Sequence, residues 1–178
     1  MKKYIPHIIS MAAFSISLST FYLTFHMEHN VDIFIAKYLE AGPDSTAGNH
    51  VITVPLTFTN RGAVPSVVQH MDILAEHLPT GDTEVFSARF FRKHNIIESG
   101  FVPISINGRS SYSNVIAFYA PDDGIKIMGR RGTYSLTLHA YNTLDSKPFY
   151  TKKITYSTTE TGLRKFNNGW NYQFSASN

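Results

Sequence analysis

Two short segments carry side chains that could hold a metal ion. His26 and His29 enclose a methionine and a glutamate, and His70 is followed directly by Met71. Imidazole and thioether ligands close together suit copper. A metal centre needs several convergent ligands with ordered neighbours, whereas these pairs lie on separate segments and Met71 has the character of a core residue. We therefore predict no cofactor, and a periplasmic copper chaperone using these four residues is the alternative.

A pair of carboxylates, Asp122 and Asp123, precedes Gly124 and could contribute oxygen ligands to calcium. A calcium loop normally brings several more carboxylates in a fixed order. The composition Pro-Asp-Asp-Gly is explained by a turn alone, so we predict a turn here.

Four residues are predicted to bind a partner. Lys126, Arg130 and Arg131 form a basic loop that could contact anionic headgroups, an acidic partner or a glycan phosphate. Exposed loops also carry charge for solubility. Trp170 is added because tryptophan is enriched among residues that anchor interfaces.

Motifs of catalysis are absent from the sequence. It contains no Gly-x-Ser-x-Gly, no His-Glu-x-x-His, no phosphate-binding glycine loop and no dinucleotide fingerprint. We therefore predict that the chain is not an enzyme.

Composition narrows the class of protein further. The chain has 178 residues and no cysteine, which excludes disulfides and thiolate sites. Of the net charge of +3, Lys2 and Lys3 contribute two. Nucleic-acid binding requires a concentrated basic face, so no nucleic acid is expected as a partner.

The N-terminal residues have the pattern of a membrane-spanning segment. Lys2 and Lys3 precede an uncharged stretch over residues 4–25, about the length that crosses a bilayer. The charge bias predicts a cytoplasmic N-terminus and an extracytoplasmic body, periplasmic in a Gram-negative cell. A cleaved signal peptide, with small residues at Ser17 and Ser19, is the alternative. The predicted divisions are 1–27 (anchor helix), 28–157 (β-sandwich) and 158–178 (edge strand or tail).

The body is predicted to be all-β. Residues 51–59 alternate strictly, with Ile52, Val54, Leu56 and Phe58 on one face. Two further segments alternate in the same way. Residues 84–90 are predicted to place Phe86, Ala88 and Phe90 inward, and residues 133–142 to place Tyr134, Leu136, Leu138 and Ala140 on one face. Some seven or eight such segments, separated by Gly, Pro, Asn and Asp, are typical of a sandwich or barrel.

Residues 132–136 (Gly-Thr-Tyr-Ser-Leu) resemble the start of an immunoglobulin-like F strand. The resemblance covers residues 51–156 and is to the immunoglobulin-like and fibronectin type III-like class of antiparallel sandwich. It implies that the Tyr134 hydroxyl bonds back to an earlier loop. It also implies that Leu56 and Leu136 occupy the two positions that hold a disulfide in antibodies. The run VPLTFTNRGAVPSVV is similar to domains of bacterial cell-envelope proteins. The class hosts many functions, so no active site follows.

Together these observations predict a single-pass membrane protein whose outer domain is a binding or assembly module. Exposed sheet edges and end loops would dock an envelope protein or a surface polymer. Secretion after signal cleavage is the alternative for the same body.

Overall fold

The computed structural model describes residues 5–25, 30–43, 50–93, 96–121, 127–144, 147–169 and 171–175. These residues form two α-helices, one short 3-10 turn and twelve strands. In chain order the elements are α1 (Ile5–Phe25), β1 (Val31–Ile35), β2 (Tyr38–Pro43), β3 (His50–Asn60), β4 (Ser66–Val68), β5 (His70–His77), β6 (Asp82–Lys93), β7 (Ile96–Gly100), β8 (Ile104–Ile106), β9 (Ser110–Tyr119), the 3-10 turn (Ile127–Gly129), β10 (Thr133–Tyr141), β11 (Tyr150–Ser157), α2 (Glu160–Asn167) and β12 (Tyr172–Ser175).

The N-terminal segment is helical, but its assignment as a membrane span is not supported. Within the residues that the structure describes, no helix combines the length and the apolar character needed to cross a bilayer. Helix α1 carries four serines and two threonines among its 21 residues, which lower its hydropathy.

Ten strands form one antiparallel sheet in the order β11-β10-β5-β6-β9-β3-β2-β12, with β1 also on β3 and β7 also on β6. Strands β4 and β8 form a separate pair. Strands β1 and β2 lie on the same edge of β3, interrupted at residues 36–37. The Ala36 N–H bridges this interruption by donating to the Pro55 carbonyl at 3.1 Å.

The two ends of the sheet contact each other. The rings of Tyr156 on β11 and Phe174 on β12 stack with centroids 4.1 Å apart. The Tyr150 hydroxyl donates to the Ile33 carbonyl on β1 at 2.5 Å. The sheet therefore folds over on itself into an antiparallel sandwich close to a barrel. This confirms the predicted all-β class.

The predicted core faces of two strands are confirmed. Ile52, Val54, Leu56 and Phe58 of β3 are all buried, as alternation requires. The same holds for the four predicted residues of β10, namely Tyr134, Leu136, Leu138 and Ala140. Leu56 and Leu136, which the resemblance assigned to the two disulfide positions, both lie within this one core.

Strand β6 departs from simple alternation. Phe86, Ala88 and Phe90 were expected on one inward face, but the register against β9 shifts between Ala88 and Phe90. Such a bulge adds one residue and exchanges the faces beyond it. Phe91 consequently enters the main core, and Phe90 packs instead with a second buried cluster on the outer face.

The C-terminal segment contains a helix that the sequence patterns did not indicate. The Thr159 hydroxyl accepts a hydrogen bond from the Gly162 N–H at 3.1 Å and caps α2. Phe166 of α2 is buried, and β12 then pairs with β2. Residues 158–175 thus contribute both a helix and an edge strand to the domain.

Candidate functional site

The predicted basic loop is partly a structural element. Arg130 forms an ion pair with Asp82, and its backbone N–H contacts the Tyr134 hydroxyl at 3.2 Å. The hydrogen bond from Arg130, followed by one from Thr80, lowers the pKa of the Asp82 carboxyl below its usual value. Arg130 therefore holds the loop to β6 rather than extending into solvent.

Of the other predicted binding residues, the structure describes Arg131. Arg131 is exposed, and its carbonyl lies 3.0 Å from Nε2 of His77. Lys126 and Trp170 lie outside the described residues, as do His26 and His29. The turn at residues 122–124 also lies outside them.

The His70-Met71 pair does not converge on one point. Met71 is fully buried, while His70 faces the opposite side of β5, as neighbouring residues of a strand must. In the described ranges, no group of three or more His, Cys, Asp or Glu is placed to hold a metal ion.

His70 belongs instead to a polar cluster on the outer face of β5 and β10. The Asp72 carboxylate contacts Nδ1 of His139 at 2.8 Å and lies 3.9 Å from Nε2 of His70. Burial, and then the charge of Asp72, raise the pKa of the neighbouring Tyr141. Cross-strand register brings these residues together, so sequence spacing alone gave no sign of the cluster.

A second surface has the shape of a binding site. Two cavities of about 530 and 340 Å³ adjoin on the outer face of β3 and β9 and share Ala36, Pro55 and Val115. Volumes of this order are typical of ligand sites. We call their union the outer-face groove. Its other lining residues are Phe34, Lys37, Tyr38, Glu40, Thr53, Leu56, Thr57, Arg92, Lys93, Glu98, Tyr112, Ser113 and Asn114.

The floor of the outer-face groove consists of small side chains in cross-strand rows. Thr57 lies between Phe34 and Ser113, and in the next row Val115 lies between Pro55 and Arg92. The Thr57 and Ser113 hydroxyl oxygens are 2.9 Å apart and exposed. Each hydroxyl both donates and accepts, so the pair keeps capacity for a further polar group.

Two aromatic side chains rise beside this floor. Phe34 is 69% exposed and Tyr38 is 62% exposed, on either side of the interruption between β1 and β2. Apolar rings of this size normally gain by burial, so their joint exposure at a concave surface favours contact with a partner. In the sequence this site is indicated by the alternation of residues 31–35, which places Val31, Ile33 and Ile35 on one face and therefore Phe34 on the other.

The outer-face groove also carries positive charge. Arg92 donates from one terminal nitrogen to the Thr53 hydroxyl at 3.1 Å. Among the described residues, its Nε has no hydrogen-bond partner. Lys37 and Lys93 are exposed, and within the described part of the chain neither they nor Arg92 has a carboxylate within 4.0 Å. Glu40 and Glu98 supply two negative charges to the same lining.

Comparisons with known proteins do not assign the chain to a family. No protein-family model matches the chain, and no curated protein matches it. One solved structure that it resembles is beta-glucosidase 3B from Thermotoga neapolitana in complex with glucose. The match has a TM-score of 0.32 and 11% identity, and covers 87% of this chain but only 19% of that one. A likeness of this strength carries no argument about function.

Proposed function

We propose that this chain is a binding module that acts outside the cytoplasm and holds a component of the cell envelope in the outer-face groove. The observation that carries the proposal is the joint exposure of Phe34 and Tyr38 beside a floor of small residues. Binding sites combine apolar lining with a few placed polar groups, and Arg92, Thr57 and Ser113 supply those groups.

A binding role accounts for the groove better than catalysis does. Hydrogen bonds within its lining join hydroxyls, a carboxamide and a guanidinium, as in Asn114 Nδ2 to the Tyr112 hydroxyl at 2.8 Å. General acid–base catalysis needs a titratable side chain oriented by a neighbour. Two described carboxylates with such partners, Asp72 and Asp82, belong to the polar cluster and to the Arg130 ion pair, and neither of them lines the groove.

The proposed location rests on the N-terminal segment. Every side chain that the structure describes in α1 is exposed, and apolar residues point in all directions around it. A helix of this kind is typical of an apolar environment or an export signal. Lys2 and Lys3 before it favour retention of that end in the cytoplasm.

Membership of the immunoglobulin-like class is also proposed, on one local feature. The Tyr134 hydroxyl lies 2.6 Å from the Ile127 carbonyl and 2.8 Å from that of Arg130. This is the contact that the resemblance implied for a tyrosine corner.

Photocrosslinking tests the proposed binding function. Benzoylphenylalanine in place of Phe34, in the full chain in its native cells, is expected to give one discrete crosslinked species. The same probe in place of Leu144, which is 75% exposed on another loop, serves as the matched control. A Tyr38→Ala change in the Phe34 probe protein should reduce the product several-fold. Equal amounts of crosslinked product from positions 34 and 144 would contradict the proposed binding. Resistance of the body to protease that has access to the outer side of the cytoplasmic membrane would contradict the proposed location.

A further inference from the structure

We propose that the outer-face groove binds an acidic saccharide, meaning sugar rings that carry a carboxylate or a phosphate. This inference rests on the proposed binding function and names the class of ligand for the same site. Three features of the groove point to it: ring faces, a pair of hydroxyls, and cations that have no carboxylate partner among the residues that the structure describes.

The ring faces match the apolar side of a sugar. Aromatic faces carry partial negative charge, and the C–H groups on one side of a pyranose ring carry partial positive charge. Phe34 and Tyr38 are exposed on the two sides of residues 36–37, with Pro55 between the two cavities. An extended chain of rings could therefore contact both aromatic residues at once.

The floor matches the polar edge of a sugar. Thr57 and Ser113 present paired hydroxyls 2.9 Å apart, and the same ladder continues beyond the groove lining in Thr59 and Ser111, whose hydroxyls are 3.1 Å apart. Sugar hydroxyls donate and accept in the same way, so each can replace a water at this ladder without leaving a polar group unsatisfied. A peptide strand would instead need free backbone N–H and C=O groups, whereas β3 here is paired along both edges.

The cations favour an acidic sugar over a neutral one. Arg92 on β6 extends across β9 and donates a hydrogen bond to the Thr53 hydroxyl on β3. Lys93, the last residue of β6, lines the same groove. Together with Lys37, these residues give the groove lining three cationic side chains, compared with the two carboxylates of Glu40 and Glu98. A guanidinium binds a carboxylate or phosphate by charge-assisted hydrogen bonds that are stronger than neutral ones.

Calorimetry on the full chain in detergent micelles tests the inference with defined probes. The acidic probes are hexagalacturonate and maltohexaose carrying one phosphate, and their neutral counterparts are methyl-esterified hexagalacturonate and maltohexaose. Hexaglutamate is the acidic probe of a different class. At least one acidic saccharide should bind about tenfold more tightly than its neutral counterpart, a difference of about 1.4 kcal/mol in binding free energy. Whichever acidic saccharide does so shows whether the groove recognises a carboxylate or a phosphate.

Variants then assign the contacts. Arg92→Gln should weaken binding of the acidic saccharide several-fold and leave binding of its neutral counterpart unchanged. The same is expected of Lys93→Gln, at a more exposed position. Phe34→Ala should weaken both. Lys153→Gln, at an exposed position of β11, is the charge control and should change the affinity for neither saccharide.

Two results would overturn the inference: no binding of either acidic saccharide at millimolar concentration, or hexaglutamate binding as tightly as they do. If the Phe34 crosslink persists while these probes fail, the binding function stands and the ligand class is wrong. Mass spectrometry of the digested crosslinked species that finds peptides absent from this chain would identify a protein as the occupant and would also overturn the inference.

Discussion

Removing one buried hydroxyl tests the corner that joins β10 to the preceding loop. In a Tyr134→Phe variant the hydroxyl group that lies 2.6 Å from the Ile127 carbonyl is lost, and so is the acceptor for the Arg130 N–H at 3.2 Å. A buried hydrogen bond contributes about 1 kcal/mol, and an orphaned partner costs roughly 1 to 3 kcal/mol more. The Arg130 N–H also donates to the Ile127 carbonyl at 3.2 Å, so neither group is left entirely without a partner. We therefore expect a loss of about 1.5 kcal/mol in the free energy of unfolding.

Urea denaturation of the full chain measures this loss. With a slope of about 2 kcal/mol per molar urea, the midpoint should fall by roughly 0.7 M at an unchanged slope. Tyr38→Phe is the matched control, because that side chain is 62% exposed and its hydroxyl is accessible to water. The reasoning is refuted if the midpoints of the two variants agree, since the corner would then add no stability beyond ring packing.

Two further predictions concern the closure of the sheet and an ion pair. Tyr150→Phe removes the hydrogen bond to the Ile33 carbonyl and should lower the free energy of unfolding by about 1 kcal/mol in the same urea assay. Asp82→Asn should destabilise the protein at pH 7, because Arg130 holds the folded pKa of Asp82 below its unfolded value. That contribution is present above the unfolded pKa and is lost as pH falls through the folded one, so the difference in urea midpoint should shrink below about pH 4.

Each of these has a clear contrary result. An unchanged midpoint for Tyr150→Phe would mean that the contact between β11 and β1 does not stabilise the closed sheet. A difference between wild type and Asp82→Asn that stays constant from pH 7 to pH 3 would mean that the carboxylate charge is not what stabilises the loop.

The strands with strict alternation could be predicted because their period alone determines which face is buried. Ile52 and Phe58 of β3, and Leu136 of β10, follow this rule without exception. The contact of the Tyr134 hydroxyl was also predicted, because a local motif and a nearby loop are enough to place it. Helix α2 was missed because eight residues give barely two turns of periodicity, and its cap at Thr159 is one hydroxyl among many.

The outer-face groove could not be predicted because its parts come from four distant segments. Phe34, Thr57, Arg92 and Ser113 become neighbours only through the registers of β1, β3, β6 and β9. Sequence alternation indicates the face on which each side chain lies, but not which strands pair. The basic loop, by contrast, was visible in the sequence, and the ion pair of Arg130 with Asp82 was not.

The bulge in β6 links the fold to the proposed site. Had the alternation of Phe86 and Ala88 continued, Phe90 and Arg92 would both have pointed into the core. The extra residue between Ala88 and Phe90 exchanges the faces, so Phe91 fills the core and Arg92 lies in the outer-face groove beside Thr53. An unpaired guanidinium buried in the core would be costly, whereas at the groove Arg92 is partly exposed and can bind an acidic group. The bulge that made the sequence prediction for β6 wrong is therefore what places Arg92 in the proposed site. Bulges commonly redirect side chains near functional surfaces in this way.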